Sequence, residues 1–272
     1  MSASAALAAA ARRLAPVSDT PRLDAELLLA HALGIGREAL LLGLRDVEVP
    51  PDFEALIARR LAHEPIAYII GRKPFWTIDL EVGPAVLIPR PDSETLIEVA
   101  IRHFGARGPR SVLDLGTGSG ALLLATLAEW PDATGLGVDM SQAAIAVARG
   151  NARKTGLSKR AQFRFGGWTT ASAGTYDLVL CNPPYIAYGE ALPPDVVLYE
   201  PASALFAGDD GLDDYRAIAP LLRLPAGGIA CFEIGASQAA AVSALFAAQN
   251  FLTNVVQDLA GRDRCVIVAP ET

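Results

Sequence analysis

The sequence predicts an α/β protein: a mostly parallel sheet with helices on both faces, preceded by a small helical bundle and joined to it by a β-hairpin. Three observations carry that expectation. Beyond residue 110, short apolar runs alternate with stretches of helical spacing. Residues 2 to about 71 show helical spacing only. Between the two lie apolar runs flanking Gly83-Pro84, the pattern of a hairpin. The bounds that follow are 1–72 for the helical domain, 73–90 for the hairpin linker and 91–272 for the α/β domain.

In chain order, Ala3, Leu7, Ala10 and Leu14 repeat at helical spacing. Thr20 before Pro21 is a good N-cap followed by a good first helical residue, Leu23, Leu27 and Ala30 continue that helix, and Gly34 can close it. A further helix starts near Asp52, with Phe53, Ile57 and Leu61 on one face. This bundle reads equally as a packing module or as a platform for a macromolecular substrate. Strands are expected at 75–82 and 85–88. Asp92 or Ser93 can cap the next helix, whose apolar face is Ile97, Ala100, Ile101 and Phe104. Strands then fall at 111–115, 134–138, 162–165, 176–181 and 229–234, with helices near 121–130, 141–155, 212–222 and 237–249. The runs 251–256 and 264–268 can pair as antiparallel strands at an edge.

Composition narrows the function. The chain has 272 residues, 51% of them apolar, enough to bury a substantial core. Its net charge of -7 argues against a long nucleic-acid footprint, since phosphate contacts need a basic surplus. Cys181, Cys231 and Cys265 stand apart in apolar runs and read as reduced thiols of a cytoplasmic protein. His31, His63 and His103 lie in separate helical segments, so no metal site is expected. No apolar stretch is long enough to span a membrane, and the alanine-rich start is broken by Arg12 and Arg13, unlike a signal peptide. No oligomer signal stands out, and a monomer is expected.

Two motifs carry chemistry. Asp114-Leu115-Gly116-Thr117-Gly118-Ser119-Gly120 joins a strand to a helix. Alternate glycines allow a tight turn and a close ligand. Asp139 ends the next strand about 20 residues on, where a carboxylate accepts from ribose hydroxyls. Ala121 stands where a dinucleotide loop needs glycine, and Asp114 would repel a pyrophosphate but suit an ammonium. Both points favour S-adenosylmethionine over NAD. The second motif is Asn182-Pro183-Pro184-Tyr185, at the end of an apolar run. The prolines stop the strand and hold the backbone extended. The Asn182 side-chain oxygen and the Pro183 carbonyl can accept the two hydrogens of a planar NH2 group, and the Tyr185 ring can stack on it.

With these motifs, Ile69-Ile70-Gly71, Phe75, the run Val86-Leu87-Ile88-Pro89-Arg90-Pro91-Asp92-Ser93-Glu94, and Tyr199-Glu200-Pro201 with Ala204-Leu205, the chain resembles the class I methyltransferases. More narrowly, it resembles the protein-(glutamine-N5) methyltransferases that act on peptide chain release factors. The resemblance implies a Rossmann-like, mostly parallel seven-stranded sheet. It implies methyl transfer from S-adenosylmethionine, giving S-adenosylhomocysteine, to the glutamine of a Gly-Gly-Gln motif. The helical domain would recognise the substrate. Gly116, Thr117, Gly118, Ser119 and Gly120 with Asp139 would hold the cofactor, and Trp168 would lie beside its adenine. Asn182 would touch both cofactor and substrate, and Asn182, Pro183, Pro184 and Tyr185 would form the glutamine pocket. Ser93 would reach the methionine carboxylate. Family members commonly carry an acidic residue before that aromatic, where this chain has Gly167, which throws more weight on stacking. The rival reading is a methyltransferase of nucleic-acid amino groups, since Asn-Pro-Pro-Tyr is shared with enzymes acting on adenine or guanine.

Overall fold

The computed structural model describes residues 2–44, 48–171 and 174–271; Met1 and Thr272, the outer bounds of the expected domains, lie outside them. Two compact units emerge, Met1–Arg72 with Leu192–Tyr199, and Lys73–Ala191 with Glu200–Thr272.

The first unit is helical: α1 (Ala3–Leu14), α2 (Pro21–Ala32), α3 (Arg37–Gly43), α4 (Asp52–Leu61) and α5 (Ile66–Ile70). Its core gathers Leu7, Leu14, Leu28, Leu29, Leu40 and Ile57, all fully buried. Two of these helices, α3 and α5, are too short to show a helical period in sequence. Gly34 does close α2: it takes φ +65°, and its N–H and that of Ile35 donate back to His31 and Ala30. Thr20 does not cap α2, because its hydroxyl donates to Asp24 Oδ1 instead (3.3 Å). Asp24 also holds the buried Arg60, whose Nε donates to Asp24 Oδ2 (2.9 Å) and whose Nη2 donates to the Val17 carbonyl (2.9 Å).

The second unit opens on a hairpin, but not the expected one. Its strands are β1 (Arg72–Phe75) and β2 (Ile78–Glu81), and they turn at Trp76-Thr77 rather than at Gly83-Pro84. Residues 85–88 form no strand. Trp76 sits at φ +53°, an unusual conformation for a bulky residue. Two distant carboxylates hold it there: Glu94 Oε1 accepts from Trp76 N (2.8 Å) and Glu129 Oε2 accepts from its indole (3.2 Å). The Ile88 N–H goes to Glu200 Oε2 (3.0 Å) instead of a ladder.

After α6 (Glu94–Phe104), seven strands make one sheet: β3 (Ser111–Leu115), β4 (Thr134–Asp139), β5 (Ala161–Phe165), β6 (Leu178–Cys181), β7 (Ile229–Glu233), β8 (Phe251–Gln257) and β9 (Asp263–Pro270). Their order is β5-β4-β3-β6-β7-β9-β8. The first five run parallel, and β9 pairs antiparallel with both β7 and β8. Between them lie α7 (Ala121–Glu129), α8 (Gln142–Lys154), α9 (Pro194–Tyr199), α10 (Asp213–Ile218) and α11 (Ala239–Ala247); α9 belongs to the first unit. The expected helix at 212–222 is α10 plus a single 3-10 turn over Ala219–Leu221, where Pro220 has no N–H to continue the ladder.

The central strands are buried on both faces, which is why they read as unbroken apolar runs. Leu178 and Leu180 face the core formed with α6, α7 and α8, while Val179 and Cys181 face the core containing Ile218, Val242 and Phe246. Helix α7 is buried from Ala121 to Leu127. Its carboxyl end is closed by Arg160, whose guanidinium donates to the carbonyls of Leu127 (2.7 Å), Trp130 (3.1 Å) and Ala133 (2.8 Å). Cys181, Cys231 and Cys265 are free, buried thiols. Among the described residues no helix is long and apolar enough to cross a membrane.

Candidate active site

The chain order reverses between β3 and β6: from β3 it fills β4 and β5 on one side, then returns to β6 on the other. Ligands of open α/β sheets bind at such a switch point, beyond the carboxyl ends of the strands. The registers fix what meets there. Leu115 pairs with both Val138 and Cys181, and Cys181 with Phe232. One residue further on, Asp139, Gly116, Asn182 and Glu233 therefore form a row across four strands. The alternation of faces puts Asp139 and Glu233, which end their strands, on the α6–α7 side, whereas Gly116, at φ +69°, faces Trp168.

A cavity of about 380 Å³ opens on Gly116, Asp139 and Asn182 of this row, and Glu233 lies outside its lining. Of the residues singled out in the sequence, Ser93, Gly116, Thr117, Gly118, Ser119, Asp139, Trp168, Asn182 and Pro184 line it, as does Asp114. Gly120, Pro183 and Tyr185 do not. Gly120 precedes α7 at φ +84°, and an added Cβ there would come within 3.1 Å of Leu124. The Tyr185 ring packs on the core of the other face, and its hydroxyl donates to Glu233 Oε1 (3.4 Å).

The glycine loop is held from three sides. Gly116 and Gly118 take positive φ (+69° and +55°), which only glycine adopts at little cost. Asp139 Oδ2 accepts from Gly118 N and Oδ1 from Ser141 N, each at 2.8 Å. Each oxygen keeps a lone pair, so a diol can still be accepted. Asn151, fully buried, donates from Nδ2 to the Ser119 carbonyl (2.9 Å) and to that of Glu81 (3.0 Å), while its Oδ1 accepts from Glu81 N (2.7 Å). The loop, α8 and the hairpin thus share one side chain.

Asp114 lies beneath the loop. Burial raises its carboxyl to about 7, against the pull of the Thr117 hydroxyl, which donates to Oδ2 (2.6 Å), and of the Leu123 N–H. A buried carboxylate at a cavity wall suits a cation, which would restore its charge. The Trp168 indole reaches over Gly116, and its Nε1 donates to Asp214 Oδ1 (2.9 Å), which fixes the ring plane. These groups fit a nucleoside with a cationic amino-acid tail: a diol acceptor, an aromatic face and a buried anion.

At the other end, Asn182 Nδ2 donates to Ser93 Oγ (3.2 Å). Neither Ser93 nor Asp92 caps α6; the Ser93 hydroxyl serves Asn182, and Asp92 pairs with Arg264 (3.3 Å). Sequence reasoning missed Glu233 and Asp214. Glu233 had one signal, an acidic residue closing the apolar run of a central strand, the position Asp139 has on β4. Asp214, in a loop-and-helix stretch rich in aspartate, had none.

Comparison with known proteins follows the same lines. Residues 5–71 match the family described as PrmC N-terminal domain, and residues 93–197 match the methyltransferase small domain. The release factor glutamine methyltransferase of Rhodospirillum rubrum is 44% identical over 258 residues, covering 92% of this chain and 79% of that one. The protein of the same description from Cereibacter sphaeroides is 45% identical over 276 residues, 98% of each chain. In fold alone, the chain is similar to the 16S rRNA N2 G1207 methyltransferase of T. thermophilus (TM-score 0.52, 18% identity, 74% of this chain and 50% of that one). With relatives of this closeness along almost its whole length, the chain belongs to the release factor glutamine methyltransferase family.

Proposed function

We propose that this protein uses S-adenosylmethionine to methylate the side-chain amide nitrogen of the glutamine in the Gly-Gly-Gln motif of peptide chain release factors. The observation that carries the reading is the arrangement at Asn182. Its nitrogen is engaged by Ser93, so its oxygen is the end left for an incoming carboxamide N–H, one residue across the sheet from the Gly116 loop.

When bound, S-adenosylmethionine supplies a methyl group on a positively charged sulfur, a good leaving group, so no strong base is required. The chain contributes position and polarity. Asp139 would hold the ribose hydroxyls, Asp114 the ammonium and Trp168 the adenine face. Asn182 Oδ1 would accept one amide hydrogen and orient the nitrogen for in-line attack, and the Pro183 carbonyl, although Pro183 does not line the cavity, is proposed as the acceptor for the other. Those acceptors also favour the positive charge that grows on the nitrogen. The extended Pro183-Pro184 backbone keeps them from drifting.

The protein acts as a cytoplasmic monomer, with release factors as partners and no nucleic-acid or membrane partner. Buried free thiols support the cytoplasmic placement, and the net charge of -7 counts against a nucleic-acid partner. The helical domain, 1–72, recognises the substrate, and 91–272 carries the chemistry. Mass spectrometry of release factor and of RNA, after incubation with the enzyme and labelled S-adenosylmethionine, tests the reading. One methyl on the glutamine between glycines is expected. Label on RNA, or on neither, would overturn it.

A further inference from the structure

The two ends of an asparagine amide have nearly the same shape and opposite chemistry: the oxygen accepts, the nitrogen donates. For the function proposed above only one orientation of Asn182 works, with the oxygen toward the substrate. Shape alone does not select it. The partner in contact, Ser93 Oγ at 3.2 Å, does not select it either, because a hydroxyl donates and accepts equally well. If Ser93 donated to Asn182, the amide would turn over and offer the substrate an N–H.

Behind Ser93 lies a group that breaks this symmetry. Glu233 ends β7 and is 1% exposed. Tyr185 donates to its Oε1 (3.4 Å), whereas Oε2 is buried without a hydrogen-bond partner. The Tyr215 hydroxyl donates to the Glu233 main-chain oxygen (2.6 Å) and so leaves the carboxyl alone. The Ser93 hydroxyl, whose hydrogen-bond partner is Asn182, lies close enough to the carboxyl to pull it down. A buried carboxyl oxygen with no donor is rare and costly, and calls for a reason.

We propose that Glu233 is a positioning residue: its ionised carboxylate draws the Ser93 hydroxyl hydrogen, obliges Ser93 to accept from Asn182 Nδ2, and so keeps Asn182 Oδ1 turned toward the substrate carboxamide. The proposal rests on glutamine methylation as the reaction. Polarity runs from the Asn182 N–H, through the Ser93 O–H, to the carboxylate. Protonated Glu233 reverses it: the carboxyl donates to Ser93, Ser93 donates to Asn182 Oδ1, and the site meets its substrate with an NH2.

The charged and titratable groups around the carboxyl are Arg264, Asp92, Tyr185, Tyr215, Cys181 and Cys265. Burial dominates and raises Glu233 to about 7; Ser93, Arg264 and Tyr185 pull it down and Asp92 pushes it up. Turnover therefore falls as pH drops through neutrality.

The test uses the full-length protein with release factor and S-adenosylmethionine, comparing wild type, Glu233→Gln, Ser93→Ala and the double variant. Glu233→Gln is expected to lower kcat about tenfold or more, leave the KM for S-adenosylmethionine unchanged and abolish the acid limb of the kcat profile. The double variant should be no slower than the slower single one, since both break one chain. In 15N-labelled wild type, the Asn182 Nδ2 resonance should titrate near neutrality and stop doing so in Glu233→Gln. Wild-type kcat with an intact acid limb in Glu233→Gln, additive losses in the double variant, or an Asn182 resonance that ignores pH would overturn the proposal. Wild-type enzyme that leaves release factor glutamine unmethylated would instead defeat the reaction assignment, and the resonance titration would still judge the chain of bonds.

Discussion

Asp139 Oδ2 accepts from Gly118 N at 2.8 Å, so the carboxylate that ends β4 and the loop that follows β3 are one rigid piece. The same carboxylate holds Ser141, the N-cap of α8, through its other oxygen. A diol bound there meets an acceptor already fixed from behind, at little further entropic cost.

Asn182→Ala removes the acceptor expected to orient the amide. Losing one such group costs roughly 10²–10³ in kcat. The side chain closes a strand end and is not a core residue, so Tm should move little. Calorimetric binding of S-adenosylmethionine alongside methyl transfer separates the two effects: affinity close to wild type, turnover nearly gone.

Asp114 should make cofactor affinity pH-dependent. Its carboxyl is raised from 3.8 to about 7 by burial, so it is protonated below neutrality and then offers nothing to an ammonium. Affinity is expected to weaken as pH falls below about 7, and Asp114→Asn to bind weakly at every pH. Stability of the cofactor-free protein runs the other way. Between 3.8 and about 7 the folded state holds a proton that the unfolded chain has released, so Tm should fall as pH rises through that window. Thermal melts with and without cofactor across pH check both signs.

Gly137→Ala tests the close approach beneath the loop. An added Cβ would stand 2.7 Å from Thr117 Oγ1 and 2.8 Å from the Phe163 ring. Relief would push the Thr117 hydroxyl off Asp114 or displace the ring, at about 1–3 kcal/mol. Denaturant melts should report that loss, and cofactor affinity should fall with it.

Arg60→Ala tests the helical unit. It leaves Asp24, 6% exposed, without its cation and the Val17 carbonyl without its donor. Breaking such a buried pair costs about 3–5 kcal/mol. Hydrogen exchange should show lost protection in α1, α2 and α4 and unchanged protection in the central strands.

What could be read in the sequence follows from burial. β3, β6 and β7 are enclosed on both faces, so their apolar runs stand out, and the polar residue that ends the run, Asn182, stands out with them. The glycine loop and Asp139 are tied by backbone geometry, which spacing encodes. Other features depend on partners far along the chain. Trp76 turns the hairpin because Glu94 and Glu129 hold it, and no local signal marks a tryptophan at positive φ. Thr20 has the chemistry of a cap but a competing acceptor in Asp24. Glu233 is reached by the hydroxyl of Tyr185, more than forty positions away, and only the folded sheet brings the two together.

The assignment of Leu192–Tyr199 to the helical unit has a practical consequence. Tyr199 donates its hydroxyl to the Ala62 carbonyl (2.8 Å), so a truncation ending at Arg72 discards a helix its remaining neighbours were built around. The complementary fragment would carry that helix as an orphan between Ala191 and Glu200. Neither half can be made by a single cut, and a researcher wanting the small unit by itself would have to splice α9 onto it through a designed linker.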